Sequence, residues 1–130
     1  MAWQRKRKYN NQPSGGFDSQ AEKRYGEVLE MMVRGGLIKS YVHHPPAIEL
    51  MPAPRIAWKV DFKVMALDGS EFWVEYKGMK TRDYSLKLRI WKNQVNDGTR
   101  DDVLFVVQEY AHHKCKVIDS VNVGTIPQPI

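Results

Sequence analysis

The stretch WKVDFKVMALDGSEFWVEYK, residues 58–77, decides the fold. In its first half Val60, Phe62 and Val64 alternate with Lys59, Asp61 and Lys63. In its second half Phe72, Val74 and Tyr76 alternate with Glu71, Trp73, Glu75 and Lys77. A period of two on both sides of Leu67-Asp68-Gly69 predicts a β-hairpin, with Gly69 as the left-handed residue of a three-residue loop. Ala66 then pairs with Ser70, and counting outward sets Asp61 opposite Glu75, with Cβ atoms about 4.5–5.5 Å apart. Lys77 lies two residues beyond Glu75 and shares that face. Val60, Phe62, Val64, Phe72, Val74 and Tyr76 fall on the other face, which is expected to be the core. A two-residue loop would put Asp61 and Glu75 on opposite faces and bury one charge, and the cost of that burial argues against it.

Two opposed carboxylates repel, and a sheet built for stability alone would avoid them. A divalent cation removes the conflict, because hard oxygen ligands at this separation suit Mg²⁺ while it keeps several waters. Lys77 beside them can hold a water or offset developing negative charge. The alternative is a surface hairpin whose charges are solvated and balanced by Lys59, Lys63 and Lys77.

Outward from the hairpin, Ser19-Gln20-Ala21-Glu22 has the form of a capping box. Ala21, Tyr25, Val28, Leu29 and Met32 recur at helical spacing until Gly35-Gly36, which predicts an amphipathic helix over 20–34. At 100° per residue Glu22 lies about 75° from the centre of that apolar stripe, against about 145° for Glu27 and about 155° for Glu30. Only Glu22 borders the buried face and can reach the sheet. Residues 37–57 read as short extended pieces broken by prolines, with Ala47 to Met51 the best strand. A second helix is expected over 84–96, with Tyr84, Leu88, Trp91 and Val95 on one face. Val103 to Gln108 and Lys114 to Ile118 read as further strands. His43-His44 and His112-His113 are expected to be solvated loop residues, since neighbours on an extended chain point to opposite sides and chelate one ion poorly.

The chain of 130 residues is one domain's worth of material, 42% hydrophobic and 27% charged, which argues against wholesale disorder. A single cysteine, Cys115, excludes an internal disulfide and a cysteine-built zinc site. No apolar run approaches the roughly 20 residues of a membrane helix, and the start of the chain lacks the apolar core of a signal peptide, so a soluble intracellular (cytoplasmic) domain with no membrane partner is expected. The net charge of +5 is unevenly spread. Residues 1–16 hold Arg5, Lys6, Arg7 and Lys8 with no acid, and end in a Pro-Ser-Gly-Gly linker, which reads as a flexible basic arm. Residues 77–92 hold Lys77, Lys80, Arg82, Lys87, Arg89 and Lys92 against Asp83 alone. Two basic segments on an acidic body suggest a surface for a polyanion, with nucleic acid the default candidate.

Asp61, thirteen residues, then Glu75-Tyr76-Lys77 on a hairpin resembles the core motif of the PD-(D/E)xK nuclease superfamily, with Val60 where the name-giving proline would stand. The order of helix, Asp strand, Glu-x-Lys strand, helix and further strand is similar to that family. The opening helix with its Gly35-Gly36-Leu37 is similar to that of archaeal-type Holliday junction resolvases, and Phe17 to Glu22 resembles the start of small phage-encoded nucleases; the resemblance covers roughly residues 17–110. It implies a restriction-endonuclease-like α/β core, a central mixed sheet flanked by helices, in one nuclease domain over 17–130. It also implies Mg²⁺-dependent cleavage of branched or duplex DNA, with Mn²⁺ substituting. Glu22, Asp61 and Glu75 would hold the metal with the backbone carbonyl of Tyr76, and Lys77 would complete the catalytic set. Arg5, Lys6, Arg7, Lys8, Lys23, Arg24, Lys80, Arg82, Lys87, Arg89 and Lys92 would contact DNA. A homodimer is expected, since a four-way junction needs two nicks and one domain carries one site. Restriction-like or DNA end-processing nucleases, and a non-catalytic DNA-binding module, are the alternatives.

Overall fold

Ser19 starts the first helix as its capping position predicts. The computed structural model describes residues 19–122, and in it the Ser19 hydroxyl accepts from the Glu22 amide at 3.1 Å, satisfying one orphan donor of α1 (Gln20–Arg34). At the other end Gly36 takes the left-handed conformation, φ +75°, and the chain turns toward the sheet. Tyr25 and Leu29 on the inward stripe are fully buried.

The strands are β1 (Ser40–His43), β2 (Ile48–Pro52), β3 (Arg55–Trp58), β4 (Phe62–Met65), β5 (Glu71–Tyr76), β6 (Leu104–Ala111) and β7 (Lys114–Val121), with α2 (Arg82–Asn96) between β5 and β6. A five-stranded sheet runs β1-β4-β5-β6-β7, and β2 and β3 form a separate two-stranded sheet. Only β5 and β6 pair in parallel, so the central sheet is mixed; the parallel step needs a long crossover, which α2 provides. The architecture is α/β with a helix on each face.

Each face has its own core. On one, Tyr25 and Leu29 of α1 cover Phe62, Val64, Phe72, Val74, Phe105 and Val107. On the other, Tyr84, Leu88 and Trp91 of α2, with Trp58 and Leu50 from the small sheet, cover Val60, Leu104 and Val106. Trp58 anchors this second layer, its ring meeting Trp91 edge-on at 5.8 Å and Tyr84 at 6.0 Å. No helix among the described residues is long and apolar enough to cross a membrane.

The hairpin register is the one the loop length predicts. Phe62 pairs with Val74 and Met65 with Glu71; the Ala66 amide bonds the Ser70 carbonyl at 2.8 Å, and Gly69 sits at φ +89°. One step further along the same register sets Asp61 opposite Glu75. Two expectations need correction. The first strand is not continuous from residue 58: Trp58 ends β3, the chain bends at Asp61, and Val60 packs in the α2-side core rather than beside Phe62. The carboxylate face is also not a solvent face. The β2–β3 hairpin and α2 close over it, so the three-residue loop buries both Asp61 and Glu75 where the cost argument had expected it to bury neither.

Candidate functional site

Among the described residues three charged side chains are buried: Glu22, 4% exposed, Asp61, 9%, and Glu75, 5%. They come from the first turn of α1, the bend before β4 and the penultimate residue of β5, so the fold brings them to one end of the sheet from three separate elements. Buried charge is expensive even where it is partly compensated, and three carboxylates brought together at one place add mutual repulsion to that cost.

Backbone bonds fix the pair. The Asp61 amide donates to Glu75 Oε1 at 3.2 Å, and the Tyr76 amide donates to Asp61 Oδ2 at 2.8 Å. Lys77 Nζ reaches Glu75 Oε2 at 3.4 Å. The Tyr76 side chain packs on the α1-side core, while the Lys77 amide turns to β6, bonding the Val107 carbonyl at 2.9 Å. An extended residue sends its N–H and C=O to the same edge, so the Tyr76 carbonyl leaves on the side of Asp61.

Burial, then the Glu75 charge, then the Glu22 charge push the Asp61 carboxyl up to about 9 from an ordinary 3.8. Glu75 is raised as well, chiefly by burial, and held back by Lys77, the Asp61 amide and a bond from the Trp58 side chain. Two desolvated carboxyls titrate as a pair and do not both ionise without added positive charge. Their oxygens and the Tyr76 carbonyl are hard donors, the set that suits a small hard divalent cation. The donors present fit Mg²⁺, and equally Mn²⁺.

Glu22 is placed as the helix arithmetic predicts, and Glu27 and Glu30 are not at the site. Glu27 is exposed and meets His113 Nε2 at 2.7 Å; Glu30 takes Arg34 at 3.2 Å and the Tyr41 hydroxyl at 3.1 Å. The partners of Glu22 are the residues that sequence reasoning missed. His43 Nε2 stands 3.0 Å and His44 Nε2 3.4 Å from Glu22 Oε2. Alternation along an extended strand had excluded this arrangement. His44 evades the rule with φ +55°, which rotates its ring onto that of His43, with centroids 3.7 Å apart. Glu22, His43 and His44 thus form a cluster able to hold a metal ion, all ligand atoms within 4.8 Å of one another. A cleft of about 470 Å³ opens between the His44–Ala47 segment and Lys59–Asp61, next to this end of the sheet.

The basic residues divide into engaged and exposed groups. Arg24 is held in a two-pronged contact with Glu109, at 2.7 and 2.6 Å. Lys87 pairs with Asp83 one turn away at 3.1 Å, and Lys80 reaches Asp119 at 3.2 Å. Lys23 is half-buried on α1. Arg82, Arg89 and Lys92 are exposed on α2 and, with Lys80, line two shallow grooves. These grooves adjoin the carboxylates: Lys77 Nζ lies 5.4 Å from the centre of the Tyr84 ring, and the Tyr84 hydroxyl donates to the same Asp119 that holds Lys80. Arg5, Lys6, Arg7 and Lys8 lie outside the described residues. Comparison with protein families, curated proteins and solved structures finds no match to this chain.

Proposed function

We propose that this chain is a divalent-metal-dependent endonuclease on a restriction-endonuclease-like core, cutting DNA phosphodiester bonds, with four-way junctions as its substrate. One observation carries the proposal: three buried carboxylates and Lys77 converge at the end of one hairpin, beside a basic helix. A binding module gains nothing from burying Asp61 against Glu75, whereas a metal site requires it.

When bound, Mg²⁺ or Mn²⁺ supplies positive charge to the phosphoryl oxygens and acidifies water. Asp61 and Glu75, as carboxylates, would hold the ion, and the Tyr76 carbonyl would add a neutral donor. The backbone amides of Asp61 and Tyr76 hold the two carboxylates in place, which keeps the site organised before substrate arrives. Lys77, tethered to Glu75 and lying over the Tyr84 ring, orients the attacking water and offsets charge that develops on the phosphate. Glu22 lies close enough to raise the Asp61 carboxyl, and so to take a proton or hold a water at the same centre. Arg82, Arg89 and Lys92 contact the phosphate backbone, which positions DNA without reading its sequence.

A junction substrate requires two symmetric nicks and hence two chains, so a two-fold homodimer belongs to the proposal. The sequence after Asp119 holds no charged residue, and Val121, Val123, Ile126 and Ile130 are its apolar candidates for the interface; the last three lie outside the described residues, and Val121 is instead buried in its own domain. The testing experiment compares cleavage of four-way junction, duplex and single strand in Mg²⁺ or EDTA, with sedimentation equilibrium of the same samples. Mg²⁺-dependent paired nicks by a dimer support the reading. Duplex cutting by a monomer moves it to a restriction-like or end-processing nuclease, and DNA binding without metal-dependent cleavage to the non-catalytic module.

A further inference from the structure

The oxygen-donor pair at Asp61 and Glu75 leaves the nitrogen donors beside it without a role. Glu22 Oε2 faces His43 Nε2 at 3.0 Å and His44 Nε2 at 3.4 Å. At metal–ligand bonds of about 2.1 Å, neighbouring ligand atoms stand about 3.0 Å apart in octahedral and about 3.4 Å apart in tetrahedral coordination. The two observed separations have that size. The backbone turns where they form: His44 is in the left-handed region at φ +55°, uncommon for a non-glycine residue, and with that turn adjacent histidines face one carboxylate oxygen. A cation between them takes the place of any proton on Nε2 and keeps both contacts to Glu22 Oε2.

We infer that Glu22, His43 and His44 form a second cation site, selective for a first-row transition ion such as Mn²⁺, Co²⁺ or Zn²⁺ over Mg²⁺. Imidazole nitrogen suits these ions, while Mg²⁺ takes oxygen donors and sheds its waters reluctantly. Each donor is anchored. The His43 ring lies 5.1 Å from that of Phe62, its partner across the β1–β4 pairing. The His44 amide donates to the Asp61 carbonyl at 2.8 Å. That last bond joins the backbone of the nitrogen site directly to the oxygen site, so an ion at the first lies beside whatever occupies the second. The existence of the site does not depend on nuclease activity; only its consequence for cleavage, a preference for Mn²⁺ over Mg²⁺, rests on that reading.

The test titrates the whole chain with Mn²⁺ by electron paramagnetic resonance, in Mg²⁺ sufficient to fill the oxygen-donor site. The expected result is one Mn²⁺ per chain that Mg²⁺ does not displace. His43→Ala and His44→Ala each weaken it at least about tenfold, the lower end of the effect of removing a metal-site partner, and His112→Ala leaves it unchanged. A second measurement uses the unaltered protein in the same Mg²⁺ background and is independent of how the variants fold: substoichiometric Mn²⁺ should broaden the imidazole signals of His43 and His44 before those of His112 and His113. Displacement of all Mn²⁺ by Mg²⁺, broadening of His112 and His113 first, or unchanged binding by both folded variants would overturn the inference. Mg²⁺-dependent cleavage without a Mg²⁺-resistant Mn²⁺ site would sink this inference and leave the nuclease reading standing. Mg²⁺-resistant Mn²⁺ on a chain that cuts nothing would do the reverse.

Discussion

Replacing Asp61 by asparagine should stabilise the metal-free protein, and the gain should grow with pH. The native chain keeps a proton on the Asp61–Glu75 pair that the unfolded chain releases, because the folded Asp61 carboxyl is raised to about 9 from 3.8. Where the native state binds the extra proton, stability falls as pH rises; the penalty is absent below about pH 4 and complete only above the folded value. One proton corresponds to about 1.4 kcal/mol per pH unit, so between pH 5 and 8 the wild type loses up to about 4 kcal/mol that the asparagine variant keeps. Asparagine retains an acceptor for the Tyr76 amide and turns a donor toward Glu75, so the local bonds survive. For a domain of this size the gain is up to about 15 °C in melting temperature at pH 8. Thermal unfolding in EDTA at both pH values measures it, and comparison with the variant cancels other titrating groups such as Glu27 and Glu109, both lowered by their partners His113 and Arg24. Saturating Mg²⁺ should then raise the wild type by about 2.7 kcal/mol at a hundredfold excess over its dissociation constant, and leave the variant in place. A variant less stable than the wild type at pH 8 in EDTA, or a gain that shrinks with pH, would refute the claim that these carboxylates are held against repulsion.

Glu22→Gln should impair cleavage far more than Glu27→Gln or Glu30→Gln, read from initial rates of nicking, since only Glu22 is buried at the site. The combined change Arg82→Ala, Arg89→Ala and Lys92→Ala should flatten the salt dependence of DNA binding by about 0.9 for each phosphate no longer neutralised, measured by fluorescence anisotropy across salt concentrations, with chemistry unaffected on bound substrate. Arg24→Ala should cost about 1–2 kcal/mol in urea unfolding and little DNA affinity, because its guanidinium already serves Glu109.

How much of this was legible in the sequence follows from which features are local. The register of β4 against β5 was readable because Leu67-Asp68-Gly69 fixes the loop length, and Glu22 because rotation per residue on a helix is constant. Both are short-range rules with little freedom. The burial of the carboxylates was not readable, because it depends on a two-stranded sheet of which only one strand shows: Ala47 to Met51 reads as a strand, whereas Arg55–Trp58 follows Pro52 and Pro54, and the pairing is irregular between Glu49 and Met51. The His43–His44 cluster was hidden for a sharper reason. It turns on one non-glycine residue at positive φ, and no residue type announces that conformation as glycine does. Its only sequence signal was two histidines just before two prolines. The contact of Arg24 with Glu109 spans 85 positions and leaves no local trace.

The most direct test of the central claim is strand cleavage by purified Asp61→Asn and Glu75→Gln proteins in Mg²⁺, alongside the wild type at matched DNA occupancy. Both variants keep the hydrogen-bonding shape of the site and lose one ligand charge. The account predicts folded proteins that bind DNA as the wild type does and have lost cleavage by about a hundred- to a thousandfold, the scale seen when a group that stabilises transition-state charge is removed. Near-wild-type nicking by either folded variant would contradict it.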